Sequence, residues 1–108
     1  MGAMISIKHD VNIHSPELVQ TLFEGLIQAV SVAIDSKDVF GFMESAAHSR
    51  AVDSIEVFVL VNDSKTPDPE AVVVRISEEF GAWKQANGVE LKINLNVIPV
   101  KWHYKIGI

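Results

Sequence analysis

The sequence contains no cysteine, which removes disulfides, thiol nucleophiles and cysteine-ligated zinc from consideration. Basic residues are also few, nine Lys and Arg against 14 Asp and Glu, for a net charge of −5. They are scattered, and only Lys101 and Lys105 gather, beside His103. Binding a phosphate backbone needs clustered cations, so nucleic acid is not an expected partner. Gly25, Gly41, Gly81, Gly88 and Gly107 are too dispersed to cradle a phosphate, and no Gly-x-Ser-x-Gly elbow is present. No basic stretch is followed by an apolar one, as in a signal peptide. The longest apolar-rich run, Leu18 to Ile34, is broken by Gln20, Thr21, Glu24, Gly25, Gln28 and Ser31. It reads as a core helix and not as a membrane span. A cytoplasmic protein without a membrane partner is expected.

What is present describes one domain. A chain of 108 residues with 48% hydrophobic composition can build a single modest core. Met1 to Met4 reads as a cloning remnant with Met4 as the natural start, leaving residues 5–108 as the domain. Ile5, Ile7, Val11 and Ile13 alternate with polar neighbours and predict a strand that stops at Ser15-Pro16-Glu17. That triplet is a helix start, with a capping side chain, a proline in the first turn and an acid at the positive helix end. Two adjacent apolar stripes follow, Leu18, Leu22, Leu26, Ala29, Ala33 and Val19, Phe23, Ile27, Val30, Ile34. The face they make is wider than a simple surface helix needs.

Residues 39–52 suit either a short helix or a strand around Val39–Met43, and Gly41 weakens the helix by roughly 1 kcal/mol. Ile55, Val57, Val59 and Val61 face one way and Phe58 and Leu60 the other, as in an interior strand covered on both sides. Asp68-Pro69-Glu70 repeats the cap, proline, acid pattern, and Val72, Val73, Ile76, Phe80 and Trp83 predict a second helix, ended by Asn87-Gly88. Strand signal then runs from Leu91 to the last residue, with its phase shifting at Ile98-Pro99. The expected fold is α+β, a mixed or antiparallel sheet with two main helices on one face, ferredoxin-like or related. A long C-terminal β-ribbon with a bulge or bend near Pro99 completes it.

Candidate sites are sparse. His9 and His14, five apart on one strand, should point to opposite faces and so share no ion. His48 and His103 have no neighbour at ligand spacing, so no metal or other cofactor is expected. His9 on the core face, and His103 with Tyr104, are the acid–base candidates. No proline follows Met1 or Met4, so tautomerase-like catalysis through an N-terminal proline is not expected. Asp53-Ser54-Ile55-Glu56-Val57-Phe58, a helix and Leu91-Lys92-Ile93-Asn94-Leu95 resemble the core of minimal nucleotidyltransferases. Ser54, Lys92 and Asn94 stand where that family needs acids for two magnesium ions, which excludes its chemistry. Trp102, Tyr104 and Ile106 on the C-terminal ribbon, with Phe23 and Ile27 on the wide-faced helix, are the interface candidates. The expectation is a non-catalytic protein-binding or assembly domain, pairing with itself and with another protein, such as an acidic inhibitor, immunity-type or phage-encoded protein. The alternative is a small oligomeric enzyme with a pocket at a subunit boundary, using His and Tyr groups.

Overall fold

The computed structural model describes residues 2–10, 14–45, 55–63, 68–101 and 107–108. Its elements run β1 (Ala3–His9), α1 (Pro16–Ala33), β2 (Val39–Ser45), β3 (Ile55–Asn62), α2 (Pro69–Asn87) and β4 (Ile93–Val100). The four strands form one mixed sheet in the order β2-β1-β3-β4. β1 and β2 are parallel, β3 and β4 are parallel, and the two pairs meet through an antiparallel β1/β3 ladder. The chain is thus two βαβ units side by side, each helix joining neighbouring parallel strands. This is the expected small α+β architecture, with unsplit units.

Local chemistry sets the boundaries. Ser15 Oγ accepts from Leu18 N–H at 3.2 Å, and the Asp68 carboxylate accepts from Glu70 and Ala71 N–H at 3.1 and 3.3 Å. Each cap satisfies donors that the first helical turn leaves open. Gly88 closes α2 with φ of 66°, a conformation open to glycine at no steric cost. The ambiguous segment resolves as a strand over 39–45, where Gly41 has a specific reason. A Cβ on Gly41 would collide with the Ile5 carbonyl oxygen of the adjoining strand, so the close approach of β2 to β1 needs glycine. Ala3 and Met4 are part of β1, with Ala3 fully buried.

The core lies between the sheet and the helices. Ala3, Ile5 and Ile7 of β1 and Ile55, Val57, Val59 and Val61 of β3 point into it. Val19, Leu22, Leu26, Ala29 and Val30 of α1 meet them, with Ile76 and Phe80 of α2. Both stripes of α1 are used, which accounts for its width. Phe23 and Ile27 are half-buried against the same cluster. Among the described residues no helix is long and apolar enough to cross a membrane.

The other sheet face has no helix over it among the described residues. Register places Phe40, Met4, Leu60 and Ile98 in one row across all four strands, with Phe42, Ser6, Phe58 and Asn96 in the next. Phe42 is 58% exposed and Ile98 40%. β3 was expected to be covered on both sides; it is interior within the sheet, but its Phe58 and Leu60 face is only partly screened within the protomer. β4 keeps register through Ile98 and Pro99 and ends at Val100, so the shift of phase coincides with the strand end. Pro99 is tolerated because β4 is an edge strand. The ribbon residues 102–106 lie outside the described residues.

Candidate functional site

The carboxyl end of β1 gathers polar groups that the rest of the core excludes. His9 continues the inward alternation of Ile5 and Ile7, and it is only 6% exposed. Asp10 and His14 are buried beside the same strand end. β1 stops at His9, His14 N–H donates to the Asp10 carbonyl at 2.9 Å, and Ser15 then caps α1. The expectation that His9 and His14 lie on one strand is therefore corrected. The alternation argument holds only within a strand, and this one ends five residues earlier than its sequence pattern suggested.

Electrostatics follow from this placement. Burial pushes the His9 pKa below its ordinary 6.5, the nearby charge of His14 pushes the same way, and Asp10 opposes both. Nδ1 of His9 is buried with no hydrogen-bond partner among the described residues. An imidazole so placed is neutral near pH 7 and keeps one ring nitrogen uncommitted, which suits a proton acceptor. Among the described residues, no three His, Asp or Glu come together in a way that could hold a metal ion.

Of the other sequence candidates, His103, Tyr104, Trp102 and Ile106 lie outside the described residues. Phe23 and Ile27 sit on α1 and contribute part of their surface to the core, away from His9's strand end in sequence. Sequence reasoning missed Asp10 and the return of His14.

The opposite end of β1 is closed by main-chain bonds. Gly2 and Ala3 N–H donate to the Asp38 carbonyl at 3.1 and 3.2 Å, and Asn62 N–H donates to the Gly2 carbonyl at 3.4 Å. The four prolines are Pro16, Pro67, Pro69 and Pro99, and none of them belongs to β1.

No family model matches the chain, and no curated protein matches it in sequence. Solved structures do match in fold. Malonate semialdehyde decarboxylase superposes with a TM-score of 0.68 at 10% identity, covering 97% of this chain and 92% of that one. That protein is described with decarboxylase and hydratase activities, and with a mutant in which the proline at its first position is replaced by alanine. Macrophage migration inhibitory factor of Toxoplasma gondii gives 0.60 at 16% identity, covering 96% and 97%. A fused 4-OT described as a wild-type asymmetric trimer gives 0.58 at 16% identity, covering 96% and 92%. These neighbours are of the tautomerase and MIF type. The expectation of a non-catalytic binding or inhibitor-type domain is overturned by them, since they are small oligomeric proteins with enzymes among them, and the alternative reading fits them better. At these identities the likeness concerns architecture: the chain has the paired βαβ fold of this group.

Proposed function

We propose that the protein is a small homo-oligomeric acid–base enzyme acting on a short oxo acid, with His9 as the proton acceptor at a pocket completed by a neighbouring subunit. The observation that carries this reading is the buried His9 imidazole, with its lowered pKa and uncommitted Nδ1, on a fold shared with malonate semialdehyde decarboxylase. Neutral His9 takes a proton from the carbon beside the substrate carbonyl, leaving an enolate. Protonation of the enolate oxygen completes a tautomerisation, and return of a solvent proton to the same carbon exchanges its hydrogen. His103 and Tyr104 are the sequence candidates for the complementary acid. Chemistry through a proline at this strand is not carried over, because β1 contains no proline.

Self-association is supported by the uncovered sheet face and by neighbours described as trimers. An apolar row spanning four strands is a surface that a second copy would remove from water.

Deuterium exchange at C3 of pyruvate, followed by proton NMR, tests the chemistry. The wild type should accelerate exchange over buffer, and His9→Gln should lower that rate on the order of a hundredfold. Exchange no faster than buffer, or equal in the two proteins, overturns the reading.

A further inference from the structure

A second feature lies where α2 leaves the edge strand β4 incompletely covered. Only Ile76 and Phe80 of α2 are fully buried, and Ile93 and Leu95 of β4 are half-buried where their β3 partners Ile55 and Val57 are buried completely. The gap is a cavity of about 240 Å³ with Ile76, Phe80, Ile93 and Leu95 among its walls and Lys84 and Lys92 at its rim. Lys84 Nζ stands 5.7 Å from the centroid of the Phe80 ring, so this ammonium sits over the apolar floor.

The charge of this slot runs against that of the molecule. The chain carries −5 overall, yet among the described residues both charged side chains lining the cavity are cations and no Asp or Glu lines it. An apolar slot edged by two ammonium groups complements a ligand with an apolar body and one carboxylate. The volume falls below that of drug-sized sites, which restricts the body to a single ring or a short acyl chain.

We propose that this cavity binds a small amphipathic monocarboxylate, its body on the Phe80 floor and its carboxylate between Lys84 and Lys92. The site does not depend on the acid–base reading. β4 lies two strands from β1, about 10 Å at ordinary strand spacing, and occupancy can be read without turnover.

Titration of the ¹⁵N-labelled full chain with benzoate, and with benzamide as its neutral isostere, is the test. Benzoate should give saturable amide shifts confined to residues 76–84 and 92–95, and benzamide should bind at least tenfold more weakly. The double variant Lys84→Gln, Lys92→Gln should lose at least tenfold in benzoate affinity while benzamide is unaffected. Gly81→Met offers a second check, because Gly81 lines the cavity and a Cβ there meets no atom within 4 Å. It should fold and block both ligands. Absence of saturable shifts with benzoate, equal affinity for the two ligands, or undiminished benzoate binding in the double variant overturns the proposal.

Discussion

The indole of Trp83 lies against Gly25, so closely that a Cβ at Gly25 would overlap Cδ2 and Cε3 of the ring. Trp83 in turn stacks on Phe80, with ring centroids 5.7 Å apart and planes 8° from parallel. Gly25 is buried in the middle of α1, where glycine is normally a poor choice for a helix. Its presence follows from packing, since it is the notch that lets α2 approach α1. Trp83 fills that notch and carries the α2 contact toward the core.

Gly25→Ala sets two effects against each other. Alanine gains about 1 kcal/mol in helix propensity, while overpacking a filled site costs typically about 1–3 kcal/mol. The ring cannot retreat freely because Phe80 supports its other face. Net destabilisation of up to about 2 kcal/mol is expected by urea denaturation. In a Trp83→Leu background the same substitution should become neutral or stabilising, and a double-mutant cycle reads the coupling.

Acidification should weaken the fold through His9. Its pKa is lowered in the folded protein by burial, then by His14, against an opposing effect of Asp10. The unfolded chain therefore binds this proton more readily than the folded one. The contribution of His9 to stability is complete above about 6.5, the ordinary value, and is lost as pH falls through the folded value. Urea midpoints at fixed protein concentration should decline on acidification below that point, and His9→Gln should flatten the decline. An unchanged slope in the variant would show that His9 is not the group responsible.

Much of this fold was legible from particular residues. Ser15-Pro16-Glu17 and Asp68-Pro69-Glu70 marked both helix starts, and their repetition was the trace of the two βαβ units. The remaining repeat is invisible in sequence because the two halves bury different side chains at matching places. Gly41 rightly weakened the helix reading of its segment, but why Gly41 and Gly25 are glycine was not legible, for a single reason. Each is explained by a distant partner, the Ile5 carbonyl or the Trp83 ring, which local propensity does not contain. The same holds for the site. His9 could be placed on the core face by alternation, but Asp10 and His14 reach it only because the strand ends there. Of the cavity lysines, Lys84 lies on α2 and Lys92 just before β4, 8 residues later, so their pairing depends on tertiary packing.

Asp68 should be worth more than an average surface acid. Its carboxylate accepts from two backbone N–H groups of α2, at 3.1 and 3.3 Å, and it lies at the positive helix end. Asp68→Ala should cost about 0.5–2 kcal/mol, whereas Asp68→Ser, which keeps an acceptor, should recover most of the loss. Thermal denaturation of the three proteins distinguishes a capping role from a general charge effect.

The uncovered sheet face yields the most direct test of assembly. Leu60 sits near the centre of the row formed by Phe40, Met4, Leu60 and Ile98, and it is only half-buried within the protomer. An aspartate there can stay hydrated in an isolated subunit, so the fold should survive. In an interface built on this row the same carboxylate would be buried without a partner, at about 3–5 kcal/mol per contact. That corresponds to more than about a hundredfold in association. Leu60→Asp should therefore convert an oligomer to monomers in sedimentation velocity while leaving the circular dichroism spectrum intact. Val74→Asp is the matched control, because Val74 is exposed on α2, away from the sheet face, and its mass should not change. A wild type that sediments as a monomer at high concentration, or a Leu60→Asp variant with unchanged mass, would place subunit contacts elsewhere or nowhere.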